Sequence, residues 1–195
     1  MKLYTFFRSS AAFRVRIALN LKGLAYEAQP VSLPKGDHRR PEYARVNPQA
    51  LVPMLELDDG TRLNQSLAII EFLDEKYPQP PLVPKDALGR ARVRSLALLI
   101  ACEIHPLNNL RTLNYLRKDL GLLEEQVHAW YRHWIRRQVG LVAFGVEDLP
   151  GAADLQRQTL QVRPGALSYR DERVRTVHEA GGFRPRSAFQ ATRRQ

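Results

Sequence analysis

The sequence predicts an α/β unit followed by an all-helical unit, and three observations predict it. Short strand-like runs alternate with helical runs up to about residue 77. A proline cluster, Pro78, Pro80, Pro81 and Pro84, then makes a stiff linker. Beyond it apolar residues recur at three and four, the helical period. The expected units are 1–80 and 87–137, followed by an atypical tail over 138–195.

The elements follow in order. Lys2 to Phe6 has strand composition. Ser9 and Ser10 stand where a turn becomes a helix, the preferred place for a hydroxyl cap. Phe13, Ile17 and Leu21 are spaced by four, as a core-facing stripe would be, and Gly23 is a good stop. Leu24 to Leu33 reads as a second strand. Pro34 to Gln49 is polar and broken by Gly36, Pro41 and Pro48, so it reads as a loop with at most one helical turn. Met54 to Leu57 and Thr61 to Leu63 read as strands joined by the hairpin signal Asp58-Asp59-Gly60. Ser66 reads as the N-cap of a helix from Leu67 to Tyr77. A parallel βαβ start, then an antiparallel hairpin and a helix, is the thioredoxin-like arrangement. In that fold a cis proline opens the third strand, and Pro53 is placed for it.

In the second unit, Val93, Leu96, Ala97, Ile100 and Ile104 form one stripe. Pro106 should kink or restart the helix. Leu110, Leu113, Leu116 and Leu120 continue to Gly121, and Leu123, Val127, Trp130 and Trp134 mark a third helical piece, with the tryptophans read as core. Cys102 reads as a small buried filler. From about Gln138 lysine is absent while arginine continues and Gly and Gln rise. Residues 165–195 lack the apolar content to offset their ordering entropy, so little stable structure is expected there.

The formal net charge is +10, spread along the chain instead of lying in one basic block. With no zinc spacing and no RNA-binding aromatic signature, a nucleic-acid partner is not expected. His38, His105, His128, His133 and His178 form no metal pattern with Cys102. No apolar run is long enough to span a bilayer, so no membrane partner is expected. Lys2, followed by a run broken by Arg8, Arg14 and Arg16, is not a secretory leader. A single cysteine fits a reducing compartment, and the cytoplasm is the expected location.

A helix start presents unpaired N–H groups and about half a positive charge. The Ser9-Ser10 pair at such a point suits a thiolate or a carboxylate. Three separated stretches then agree. Phe7-Arg8-Ser9-Ser10 followed by Arg14-Val15-Arg16-Ile17-Ala18-Leu19 resembles the signature of zeta-class glutathione transferases, the maleylacetoacetate isomerases. Asn47-Pro48, Leu51-Val52-Pro53 and Gln65-Ser66-Leu67-Ala68-Ile69-Ile70-Glu71 resemble that family's glutathione-site segments. Ile104-His105-Pro106-Leu107-Asn108-Asn109-Leu110 resembles its helical-domain motif. The resemblance covers residues 1 to about 137.

The resemblance implies a thioredoxin-like domain joined to the glutathione-transferase helical domain, a homodimer, and glutathione as cosubstrate. It implies cis–trans isomerisation of a maleyl dicarboxylic keto acid, maleylacetoacetate to fumarylacetoacetate, in aromatic catabolism. The alternatives are maleylpyruvate isomerisation, glutathione transfer to small electrophiles, and an inactive glutathione-binding module. Two departures stand out. Ala11, Ala12 and Phe13 replace the family's Cys-Ser-Trp, and nothing after residue 137 resembles its closing helices. A shift of coding frame near residue 138 accounts for the second; a divergent tail is the alternative.

Such a reaction needs a nucleophile that adds to a conjugated double bond, allows rotation and leaves. From motif position, Ser9 is expected to donate to the sulfur anion, with Ser10 as second candidate. The Val52 backbone, exposed by cis Pro53, is expected to pair with the tripeptide backbone. Gln65 and Ser66 suit the γ-glutamyl carboxylate and His38 the glycyl end, while Asn108 and Asn109 close the site from the second unit. Arg8 and Arg111 are the expected grips on the acid, since a guanidinium fork matches a carboxylate. Arg14 and Arg16 are read as structural, and His105 as a satisfied core or cap histidine.

Overall fold

The structure, a computed structural model, describes residues 1–145, with side chains through residue 136. The little stable structure expected over 165–195, and His178, lie outside the described residues.

Four short strands form one mixed sheet: β1 (Lys2–Thr5), β2 (Glu27–Pro30), β3 (Met54–Glu56) and β4 (Arg62–Asn64), in the order β2-β1-β3-β4. β1 runs parallel to β2 and antiparallel to β3, with Leu3 opposite both Ala28 and Leu55. The parallel pair needs a crossover, and helix α1 (Ser10–Leu21) supplies it. β3 and β4 close a hairpin through Asp58-Asp59-Gly60, where Gly60 adopts φ 83°. That left-handed value is one that glycine takes without strain. Asp59 Oδ1 steadies the turn by accepting from Thr61 N–H at 2.9 Å. The Val52–Pro53 bond is cis, as the strand order led us to expect, and Gln79–Pro80 in the linker is cis as well.

α1 and α3 (Ser66–Lys76) pack on one face of the sheet around Leu3, Val15, Leu19, Leu55, Ile69 and Leu73. This corrects the expected core stripe of α1. Phe13, Ile17 and Leu21 are 55%, 42% and 58% exposed, while Ala11, Ala12, Val15, Ala18 and Leu19 are buried. Residues two apart on a helix point about 200° away from each other, so one helix carries both stripes. The alanine-rich one sits on the sheet because small side chains let the helix approach closely. Arg16 covers part of the other, its guanidinium 5.3 Å from the centre of the Phe13 ring.

Val31, Tyr43 and Val52 form a smaller cluster with Tyr4, Phe6, Leu33 and Val46. Tyr43 belongs to α2 (Pro41–Val46), a helix within the stretch read as a loop. Pro41 opens it from the first helical turn, where a missing N–H costs nothing.

The C-terminal end of α1 is fastened by a buried charge. The Lys22 side chain is 0% exposed, and its Nζ donates to Asp74 Oδ1 at 2.5 Å, Tyr77 O at 2.6 Å and Pro80 O at 2.7 Å. Asp74 Oδ1 also accepts from Leu82 N–H at 2.9 Å. One ammonium therefore ties α1, α3 and the linker together, and all three of its donors are used.

The linker leads to α4 (Ala87–Leu98), capped by Asp86, whose Oδ1 accepts from Gly89 N–H at 2.7 Å. The helix continues as a π-helical stretch over Leu99–Ile104, then a 3-10 turn over Pro106–Asn108. α5 (Leu110–Lys118) and α6 (Glu124–Gly145) follow, and the backbone of α6 runs past the composition change at residue 138. Among the described residues of this unit, Leu116 and Val127 are buried hydrophobics. Ile100, Leu110, Leu120 and Leu123, expected in core stripes, are exposed. Cys102 is exposed too, not a buried filler. Trp130 is half-buried, stacks edge-on to Trp134 and donates from Nε1 to Leu107 O at 2.9 Å.

Burial alone would push the Asp74 carboxyl up; the Lys22 ammonium and the Leu82 N–H outweigh it and hold it below the ordinary aspartate range. Its contribution to stability is therefore complete above about pH 4, the unfolded value, and is lost as pH falls through the lower folded one. Asp74→Ala is expected to cost about 3 kcal/mol at neutral pH, because it strands a buried ammonium. Urea unfolding measures this, and the variant's acid limb should be shallower than the parent's.

Candidate functional site

Two contacts between the units mark a cleft. Ser10 Oγ lies 2.9 Å from His105 Nδ1. Arg111 Nη2 donates to Gln49 O at 3.3 Å. The cleft is thus bounded by the start of α1, the 47–53 loop, the start of α3, and the segment from His105 to Arg111.

Ser9 is the N-cap of α1, with extended backbone, and its Oγ accepts from Ala12 N–H at 3.2 Å. Ser10 opens the helix and is exposed, as is Arg8 just before the cap. The start of α3 departs from expectation in detail. Ser66 is the first helical residue and is buried, not the cap. Gln65 holds the cap position at φ 68° and ψ 116°, with no side-chain cap bond. A non-glycine residue at such φ is strained, and strain of this kind collects at functional positions. The Gln65 side chain turns to the 47–53 loop, where Nε2 donates to Gln49 Oε1 at 3.1 Å.

That loop is held from beneath. Asn47, 0% exposed, donates from Nδ2 to Leu51 O at 2.7 Å and accepts at Oδ1 from Gln49 N–H at 3.1 Å. Tyr43 Oη donates to the same Leu51 carbonyl at 2.5 Å. Burial raises the Tyr43 phenol above its usual range, so it remains a donor. Val52 follows directly and precedes β3, whose ladder begins at Met54. Neither Tyr43 nor Gln49 was singled out from sequence; the contacts that matter are long-range and in part to the backbone carbonyls of Leu51 and Gln49, which leave no residue-type signal.

His38 sits in a 3-10 turn, 8% exposed, and its Nδ1 has no protein partner among the described residues. Burial, then Arg39, lowers its pKa; Asp37 opposes this and Arg111 adds to it. The ring is therefore neutral near pH 7 and acts by hydrogen bonding, not by charge. Asn108 has both side-chain polar atoms buried without a protein partner among the described residues. Asn109 instead caps α5, its Oδ1 accepting from Thr112 N–H at 3.0 Å. Of the two readings of His105, the structure bears out the cap and not the core: it stands between the π-helical stretch and the 3-10 turn with its ring facing Ser10, and burial followed by the Arg14 charge lowers its pKa.

Unpaired buried atoms are costly unless something meets them. His38 Nδ1 and the Asn108 amide offer such places, and the two helix starts offer anion sites. The donor set fits a flexible polar ligand with carboxylates at its ends and an anion between them. Among the described residues no cluster of His, Cys, Asp or Glu could hold a metal ion, and no helix is long and apolar enough to cross a membrane.

Known proteins place the chain in a family. Residues 8–76 match the family model described as the glutathione S-transferase N-terminal domain. Maleylacetoacetate isomerase of Pseudomonas aeruginosa is 49% identical over 166 residues, 80% of this chain and 77% of that one. Maleylpyruvate isomerase of a Ralstonia species is 53% identical over 136 residues, and the chain spans only 63% of its length. A crystal structure of maleylacetoacetate isomerase from Methylobacterium extorquens AM1, with bound malonate and glutathione, superposes with a TM-score of 0.74 at 38% identity, covering 82% of this chain and 80% of that one. The chain belongs to the glutathione S-transferase family, on the zeta-class branch of the maleylacetoacetate and maleylpyruvate isomerases.

Proposed function

We propose that this protein is a glutathione-dependent isomerase that converts maleylacetoacetate to fumarylacetoacetate. The observation that carries the reading is the convergence of two helix starts, a cis proline and an arginine from the second unit on one cleft. Bound glutathione supplies a sulfur nucleophile able to add to, and leave, a conjugated double bond. The chain's part is to bind and orient. Ser9 and Ser10 hold the sulfur anion with hydroxyl donors and the field of α1. Gln65 and Ser66 hold a carboxylate at the start of α3, the Val52 backbone pairs with a peptide, and neutral His38 takes the opposite end. Asn108 closes the site, with Asn109 behind it as a cap. Arg8 and Arg111 grip the acid and favour the negative charge that develops during addition.

Maleylpyruvate is the second substrate in view, because the chain is 53% identical over 136 residues to an isomerase of that name. The chemistry is the same on a shorter acid, and assays with both acids rank them. We further propose a homodimer working in the cytoplasm; the exposed apolar residues Leu98, Leu110 and Tyr115 offer contact surface. Sedimentation at micromolar concentration tests the dimer.

Retention of folded protein on immobilised glutathione is expected, and failure to bind contradicts the reading. Arg111→Ala should lower isomerase turnover roughly 10- to 100-fold, the worth of a charged hydrogen bond, with glutathione affinity unchanged. Arg111→Lys should recover little of it. Unchanged turnover in the alanine variant removes Arg111 from the substrate site. Gln65→Gly should separate fold from function: relief of the positive φ is expected to add roughly 1 kcal/mol of stability, while glutathione binding weakens. Thermal melting and calorimetry on one preparation measure both.

A further inference from the structure

The chemistry proposed for the cleft leaves His105 without a task, although its ring reaches α1 from the other unit. Nδ1 lies 2.9 Å from Ser10 Oγ. That reach depends on a local irregularity. His105 N–H donates to Ile100 O at 3.0 Å, a five-residue spacing at the end of the π-helical stretch. Pro106 follows at once and starts the 3-10 turn. The wider turn rotates what comes after it relative to α4, and His105 arrives against the start of α1. π-bulges recur at functional sites, where they re-aim a side chain.

The contact constrains one proton. A hydroxyl has one proton to give and two lone pairs to receive. Ser9 Oγ already accepts from Ala12 N–H. For Ser10 there are two arrangements with a neutral imidazole. If Nδ1 is bare, the Ser10 proton points at His105, and an anion at the helix start meets only lone pairs. If Nδ1 carries the proton, it donates to Ser10 Oγ, and the hydroxyl proton is released toward the helix start. Only the second favours an anion there.

We propose that His105 is a positioning residue: as the Nδ1–H tautomer it donates to Ser10 Oγ and turns the Ser10 hydroxyl proton toward the anion held at the start of α1. This rests on reading that helix start as the glutathione thiolate site. Arg14 on α1 is the charged group near the ring, and Cys102 of the π-helical stretch lies near Arg14. With the ring neutral at pH 7, the direction of a hydrogen bond, and not a second positive charge, carries the effect.

The test is a pH titration of thiolate absorbance for glutathione bound to the full chain, in the parent, His105→Ala, Ser10→Ala and the double variant. In His105→Ala the midpoint is expected to rise by about one pH unit, a tenfold loss of thiolate at fixed pH. Glutathione affinity measured where the thiol is protonated should change little. The same substitution in the Ser10→Ala background should do nothing further. His105→Asn, whose amide nitrogen reaches the Nδ1 position, should recover most of the effect. Nitrogen-15 spectra of the parent need no variant to fold, and should show a protonated Nδ1 and a bare Nε2. A bare Nδ1, an unchanged midpoint in folded His105→Ala, or an equal rise without the Ser10 hydroxyl overturns the proposal. A parent that binds no glutathione defeats the proposed function as well. A parent with a depressed thiol midpoint but indifferent His105 variants defeats this inference alone.

Discussion

A single ammonium withdrawn from water sets the frame of this molecule. Lys22 sits one residue past α1 with its side chain fully buried, meeting a carboxylate of α3 and two carbonyls at the linker. Isolated, such a charge would be very costly to bury. With every donor met it becomes a three-way junction. α1 cannot slide along the sheet without breaking it, and the linker cannot leave α3 in another direction. The start of α1 and the approach of the second unit are thereby fixed by the same group, at the end of the helix far from the cleft.

From that frame the cleft follows. Strand pairing puts the Val52–Pro53 bond beside β1, and Asn47 and Tyr43 fix the preceding carbonyl from the small second core. The linker then brings His105 and Arg111 to the starts of the first unit's elements. The resulting electrostatics are uneven. Two helix starts and the exposed Arg8 and Arg111 favour anions, whereas His38 and His105 are held neutral by burial and by neighbouring guanidinium groups. Positive charge frames the cleft, while neutral donors and acceptors line it. That suits a ligand whose ends are charged and whose middle must be oriented.

Local signals were legible in the sequence and long-range ones were not. Pro53, the Asp58-Asp59-Gly60 turn and the Ser9 cap each depend on residues adjacent in the chain, and each stands where it was expected. The stripe of α1 failed for a physical reason. Phe13, Ile17 and Leu21 have the correct period, but so do Ala11, Val15 and Ala18 on the opposite side. Period alone cannot say which stripe meets a sheet; the need for close approach decided for the smaller residues. The stop at Pro106 was readable from proline chemistry, yet the π-helical stretch before it was not. No composition rule distinguishes i→i+5 bonding, and it is what makes His105, a cap residue as one reading had it, also a neighbour of Ser10. Gln49 escaped notice because its carbonyl, not its residue type, receives Arg111.

Arg14 shows how the units are coupled electrically. Its Nε and Nη1 are buried without a protein partner among the described residues, and burial lowers its pKa, although a guanidinium stays charged at any physiological pH. A fixed positive charge near the His105 ring opposes its protonation. Moving the second unit away from α1 would rehydrate both groups and let the imidazole titrate closer to its ordinary value. The protonation state of His105 is therefore tied to the closeness of the two units. The same approach that completes the cleft therefore brings the ring against Ser10 and favours its neutral form, in which the tautomer alone decides the direction of that hydrogen bond.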